Sequence, residues 1–447
     1  MFLISLALTA GLVSNAHAYS LTDAYQEALG NDADLASARA SLEADRQLIP
    51  LARSRTMPTI GASADISRDR SDTNFSAASN YTSQTYGVQL SYPLYNAQNS
   101  AALDQSRLQV SVAEAQLASA EQDLVLRVAE AYFNVLAAEN TFETTRAEKK
   151  AIAEQLAAAK RNFEVGTATI TDQQEAQARF DLAVAQELAA QNDLEVNRSA
   201  LSILTGKPVP TLADLIPGIE LKRPSPAVES SWTDQARQDN LIVQQATLGA
   251  EVAKREIDRQ RYAGRPTLDA VGSLGHSRNP SSSLLGVRAN TASVGVVLSV
   301  PIYTGGAITA GVRQAGANLD KANADLEVAR RQAEQAARQA YLGLISGLGQ
   351  VRALEAAEKS SKLALDSNRL GYKVGVRINI DVLNAQQQLF STQRDLARAR
   401  YDVLVNSLRL KSTTATLGQQ DLADVSALLS LKRVTKPDAP TPRKLKK

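Results

Sequence analysis

Two hydrophobic patterns take turns along this chain. Tyr86, Val88, Leu90 and Tyr92 occupy every second position, with Thr85, Gly87, Gln89 and Ser91 between them, and this period of two predicts a strand with one apolar face. Ile60, Ala62, Ala64 and Ile66 supply a partner strand upstream. The pair recurs later, as Leu268, Ala270, Gly272 and Leu274 followed by Val294, Val296, Leu298 and Val300. Polar loops, about Arg68 to Tyr81 and about His276 to Asn290, are expected to close each pair into a hairpin with a long tip.

After each hairpin the period changes to threes and fours. Val110, Ala113, Leu117, Ala120, Leu124, Val128, Ala131, Val135 and Ala138 form one apolar stripe, and Leu319, Ala322, Leu326, Ala329, Ala333, Ala337, Ala340 and Leu344 form its counterpart. A helix from about Gln98 to Phe163 would reach roughly 100 Å at 1.5 Å per residue. A stripe so narrow and rich in alanine has to lie against neighbouring helices along its length, which gives a bundle or a tube. Each long helix ends at a Val-Gly turn and returns through a shorter one, about Thr171 to Leu204 and about Ile378 to Leu417. Further helices are expected before the hairpins, near Thr22 to Ser54 and near Trp232 to Tyr262.

The chain reads as one unit written twice. Met57-Pro58-Thr59 returns as Arg265-Pro266-Thr267 and Tyr92-Pro93-Leu94-Tyr95 as Val300-Pro301-Ile302-Tyr303, both at an offset of 208. Ala131-Tyr132 matches Ala340-Tyr341, Val165-Gly166 matches Val374-Gly375 and Asp172 matches Asp381, all at 209. The expected organisation is a signal peptide at 1–18, repeat 1 at 19–207, a Pro-containing linker at 208–226, repeat 2 at 227–430 and a basic, Pro-rich disordered tail at 431–447. The signal peptide rests on the apolar run Phe2 to Val13 and the small-x-small site Ala16-His17-Ala18, with cleavage after Ala18.

Charges interrupt the helical stretches before they reach the roughly 20 apolar residues that a spanning helix needs. An exported chain of this kind is either soluble in the periplasm or held by a β-barrel. The duplicated alternation, apolar on one face and small or polar on the other, is the pattern of a transmembrane barrel. Four strands cannot close one, so the chain would share its barrel with copies of itself: two copies give about eight strands and three about twelve.

Composition narrows the chemistry. Aromatic residues are 4% of the 447 and Trp occurs once, as extended helices would have it. Lys plus Arg number 49 against 47 Asp plus Glu, a balance that gives no basic field for nucleic acid. Cysteine is absent, so neither a disulfide framework nor a thiolate metal site can form. After signal removal only His276 remains, in a predicted hairpin tip away from any nucleophile and acid, and no phosphate-binding glycine loop occurs. The chain therefore offers no catalytic residues, cofactor site or metal site.

Several motifs resemble one family. Ala131-Tyr132-Phe133-Asn134-Val135-Leu136, the turn Arg161 to Gly166 followed by Ile170-Thr171-Asp172, Val300-Pro301-Ile302-Tyr303-Thr304-Gly305-Gly306, and Gly371 to Arg377 with Asp381-Val382-Leu383 are similar to the TolC family of outer-membrane efflux and secretion channels. The resemblance runs from Leu21 to about Leu429. It implies a mixed α and β membrane protein: a homotrimer whose chains give four strands each to one transmembrane β-barrel in outer-membrane lipid, continuous with a long periplasmic α-helical barrel. It also implies recruitment by a periplasmic adaptor and an inner-membrane pump, ABC-type or proton-driven, with no nucleotide bound by the duct. By motif position, Tyr372 and Arg377 match residues that clamp a periplasmic gate, and Thr171 and Asp172 match their partners. Asp381 matches one of two carboxylate rings that favour cations, and Asn384 stands at the other. Val165, Gly166, Val374 and Gly375 match turns that adaptors grip.

Read without the resemblance, Asp172 and Asp381 are equally first-turn carboxylates that favour helix N-termini by about 0.3–1 kcal/mol. The rival to an export duct is a soluble periplasmic coiled-coil adaptor or structural protein. Whether such a duct passes secreted proteins, as in type I secretion, or small molecules stays open at this point.

Overall fold

The computed structural model describes residues 19–73, 76–216, 218–279 and 287–430, so the signal peptide and the tail lie outside the described residues. The elements in chain order are α1 (Leu21–Asn31), α2 (Ala33–Arg46), α3 (Leu48–Ser54), β1 (Thr59–Thr73), β2 (Ser76–Tyr95), α4 (Ala97–Glu164), α5 (Ile170–Thr205) and β3 (Asp214–Leu215). There follow α6 (Glu229–Asp239), α7 (Leu241–Tyr262), β4 (Thr267–Asn279), β5 (Val287–Ser299), α8 (Ala307–Lys373), α9 (Asn379–Thr413), α10 (Gln419–Ser426) and β6 (Leu429–Ser430). The chain is thus mostly helical with some sheet. It divides into two units, one of residues 1–36, 120–236 and 334–447, the other of 37–119 and 237–333.

The second of these holds the sheet. Its strands run in the order β1-β2-β4-β5, every pair antiparallel. The expected long loops are corrected here: β1 continues to Thr73, β2 begins at Ser76, β4 reaches Asn279 and β5 begins at Val287. Periodicity misses this because backbone pairing needs no apolar face once both faces are polar. Ser67, Ser83 and Asp69 bond one another across the β1–β2 ladder instead. Pro93, which cannot donate to a ladder, sits beside a register shift in β2. Below the strands, Leu42 of α2 packs on Val110 and Ala113 of α4. Glu256 of α7 accepts from Arg259, Gln260 and Gln105, and these donors hold its carboxyl down at about 2.

The expected single helices before the hairpins are broken. Asp32 accepts the Leu35 amide at 2.8 Å and Asn240 the Ile242 amide at 2.9 Å, so each starts a new helix where continuity was expected. Pro50 cannot donate to the Arg46 carbonyl, and α2 ends there.

In the other unit two helical hairpins, α4–α5 and α8–α9, carry the core. Ile152, Leu156 and Ala159 of α4 meet Ala176 and Ala183 of α5 and Leu383 of α9. Ala340, Leu344 and Leu348 of α8 meet Leu396, Ala399 and Val403 of α9 and Trp232 of α6. Of the duplicated stripe, Leu124, Val128, Val135 and Ala138 of α4 and Ala337, Ala340 and Leu344 of α8 are buried here, and its alanines let the helices approach closely. The linker segment is pinned to this core. Tyr132, fully buried, points its hydroxyl at the carbonyls of Tyr19 and Ala213, 2.9 Å from each, and burial pushes its pKa up. Tyr401 donates to Asp214 at 2.6 Å, and β3 pairs with β6. Tyr132→Phe is expected to cost about 1–2 kcal/mol, because the Ala213 carbonyl loses its hydroxyl donor while the Tyr19 carbonyl keeps only the Ala213 amide. A melt of the variant that superimposes on wild type would sink that role.

Candidate functional site

Two features stand out, one in each unit. The first is a pair of helix-to-helix turns built alike. Gly166 and Gly375 take φ of 78° and 80°, the left-handed conformation that glycine adopts at least cost. In the first turn Gly166 N–H donates to Phe163 and Thr167 N–H to Asn162; in the second, Gly375 donates to Tyr372 and Val376 to Gly371. Both are Schellman closures that satisfy the last carbonyls of a long helix. Val165, Val374 and Val376 stand exposed at these tips, with Phe163, Ile170 and Ile378 exposed nearby.

After the first turn Thr169 and Asp172 form a capping box: the Asp172 amide donates to the threonine hydroxyl and its carboxylate accepts the Thr169 amide at 3.0 Å. Asp172 is therefore a first-turn cap, and Thr171 beside it is exposed. After the second turn Asp381 takes the equivalent place in α9 and pairs with Arg377 at 3.6 Å. The Tyr372 hydroxyl accepts from Asn162 Nδ2 at 3.1 Å, which ties α8 to α4. Within one chain, then, Tyr372 and Arg377 are held by Asn162 and Asp381. Arg377, Asp381 and Asn384 line one groove of 360 Å³ along α8 and α9.

Sequence reasoning passed over five polar residues here. Asn379 is buried, accepts from Gln155 of α4 and donates to the Asp172 carbonyl of α5 at 3.4 Å, joining the two hairpins. Arg179 of α5 donates to Asn384 and Gln387 of α9, and Asn162 holds Tyr372. The duplication held a signal for one of them: Asn379 stands where repeat 1 has Ile170, a polar residue in an apolar slot. Deeper in the same unit Arg394 of α9 reaches the buried Glu148 of α4 at 2.7 Å.

The second feature is the sheet face. Register places Ile60, Leu90, Gly272 and Val294 in one row and Ala62, Val88, Leu274 and Ala292 in the next. These rows share one face, and Ile60, Leu90, Val88, Leu274 and Val294 are exposed on it, Val294 by 94%. An apolar surface this continuous marks contact with something apolar. The other face carries Ser63, Gly87, Gln89, Gly275, Ser273 and Ser293, with Ser273 and Ser293 hydrogen-bonded across the ladder. His276 lies on β4, not in a loop, and meets Asn290 at 2.6 Å. Among the described residues no helix is long and apolar enough to cross a membrane, and no group of His, Cys, Asp and Glu could hold a metal.

A model of the outer membrane efflux protein family matches residues 24–207 and 232–416. The chain is 34% identical to outer membrane protein TolC of Vibrio cholerae over 427 residues, covering 94% of this chain and 96% of that one. It is 32% identical to the alkaline protease secretion protein AprF of Pseudomonas aeruginosa, covering 93% and 88%. Its fold matches the Campylobacter jejuni CmeC outer membrane channel with a TM-score of 0.78 at 19% identity, covering 92% and 90%. With both helical hairpins inside the matched segments, the chain belongs to the outer membrane efflux protein family and is a channel of the outer membrane.

Proposed function

We propose that this channel is the outer-membrane end of a tripartite export system, a homotrimer that passes proteins or small molecules delivered by a periplasmic adaptor and an inner-membrane pump. The observation that carries the reading is the exposed apolar face of a four-stranded sheet with two free edges, β1 and β5. Unpaired backbone groups are not tolerated in hydrocarbon, so those edges must pair with further strands. Copies of the same chain supply them, and three copies give a closed barrel within the size range of such proteins. A soluble adaptor is disfavoured, because water would have to cover that whole face.

The exposed valines at the two Schellman tips support an adaptor contact there: a small apolar surface around Val165, Gly166, Val374 and Gly375, held rigid by its own hydrogen bonds. Tyr372, Arg377, Thr171 and Asp172 are proposed as the gate. The links in hand are polar and partly exposed, worth about 0–1 kcal/mol each, so an adaptor could open them. Asp381 and Asn384 are proposed as the ring at the constriction. Family membership speaks for transport rather than catalysis. The kinship with a protein named for alkaline protease secretion supports protein cargo, and the family's efflux description supports small molecules.

Single-channel recording in planar bilayers tests the reading. Wild type is expected to give discrete small pores, and the Tyr372→Phe, Arg377→Ser double variant pores several times larger, since it loses both the Asn162 bond and the Asp381 pair. If neither protein inserts, the duct reading falls; if both conduct alike, the gate assignment falls.

A further inference from the structure

The charge around Asp381 and Asn384 is not set by carboxylates alone. From α5, Arg179 Nη1 donates to Gln387 Oε1 at 2.7 Å and its Nη2 donates to Asn384 Oδ1 at 3.0 Å. Both acceptors are neutral amides. They fix the guanidinium in place without cancelling its charge, and an arginine stays protonated at any working pH. Among the described residues Arg179 forms no ion pair, although Glu175 stands one turn earlier on α5.

The neighbouring charges come close to balance. Arg377 and Asp381 cancel each other at 3.6 Å, and the buried Glu148 is matched by Arg394. Asp172 is held in its capping box. Counting Arg179, Arg377, Asp381 and Asp172, two positive charges stand against two negative, so Arg179 offsets one carboxylate per chain. Asn384 and Asp381 lie about one turn apart on α9, so the guanidinium sits beside the ring that would otherwise attract cations. Rings of basic side chains favour anions for the same electrostatic reason that acidic rings favour cations.

We propose that Arg179 is a selectivity-determining residue of this channel, clamped by Asn384 and Gln387 so that its charge offsets a carboxylate of the constriction and lowers its preference for cations. The proposal rests on the reading that Asp381 and Asn384 line the ion path. Asn384 gains a definite role from it, since an amide there holds Arg179 in place without neutralising it, whereas an aspartate would cancel its charge.

The test is the reversal potential of the full mature protein in planar bilayers under a potassium chloride gradient. Wild type should reverse near zero. Arg179→Gln should move toward potassium, raising the potassium-to-chloride permeability ratio by about threefold or more. Arg179→Lys, which keeps the charge, should stay with wild type, while Asp381→Asn should move toward chloride. If Asp381→Asn shifts the potential and Arg179→Gln does not, this inference alone is overturned. If neither variant shifts it, or no pores form, the ring reading fails and the inference goes with it.

Discussion

Replacing Arg127 with alanine is expected to destabilise the protein by about 3–5 kcal/mol, because it strands a buried carboxylate. Asp32 has only 4% of its side chain exposed and takes both ends of the guanidinium, at 2.9 and 3.0 Å. Arg127 also reaches Asp123 at 2.7 Å and Asp34 at 3.2 Å. Without the arginine, three carboxylates are left together, one of them out of water. Asp32→Asn is milder, about 1–2 kcal/mol, because it keeps a capping oxygen for the Leu35 amide and leaves Arg127 two carboxylates. Burial pushes the Asp32 carboxyl up, but Arg127 and the Leu35 amide outweigh it and hold it below the ordinary carboxylate range. A lowered folded pKa contributes stability that is present above the unfolded value of about 4 and is lost as pH falls through the folded one. In Arg127→Ala the sign reverses, since burial without a partner raises the pKa and protonation then stabilises the fold. The gap in unfolding midpoint between wild type and variant should therefore narrow from pH 7 to about pH 3.5. A gap that stays constant would mean that Asp32 does not depend on Arg127.

How much of this was legible in the sequence follows from which residues repeat a period. The stripe through Leu124, Val128 and Val135 predicted α4 to within a residue or two at each end, because a long buried helix repeats its own signal many times. The apolar sheet face was readable for the same reason, residue by residue from Tyr86 to Tyr92. Strand ends were not, since beyond Ser67 both faces become polar and pairing carries on through the backbone alone. The breaks at Asp32 and Asn240 rest on single side chains turning back to cap, events too local for a periodic reading, although the two sit 208 apart as duplicated landmarks should. At the turns, the glycines and first-turn aspartates announced the geometry. The polar ties across hairpins did not announce themselves. Asn162 to Tyr372 and Arg179 to Asn384 join residues some two hundred positions apart, and no spacing rule connects them.

Val294→Arg should abolish stable insertion in the outer membrane, while Ser293→Arg, one residue away, should insert almost normally. Val294 is 94% exposed in the middle of β5, in the row with Gly272, Leu90 and Ile60 on the apolar face. A membrane-embedded channel turns such a face to hydrocarbon, and an arginine near the bilayer midplane costs about 2–4 kcal/mol there. If copies of the chain share one barrel, each contributes the penalty, so the assembled form loses it several times over. Gly272 opposite offers no side chain to shield the charge. Ser293 belongs to the polar face, where arginine replaces only a serine-to-serine hydrogen bond and stays hydrated. The comparison needs only the amount of each protein recovered from outer membranes by detergent and not by high salt. Equal recovery of both variants would mean that this sheet does not meet lipid, and loss of Ser293→Arg alone would mean that the faces are reversed. The contrast is sharp because successive residues of a strand point to opposite sides: a shift of one position carries the same charge from hydrocarbon into water.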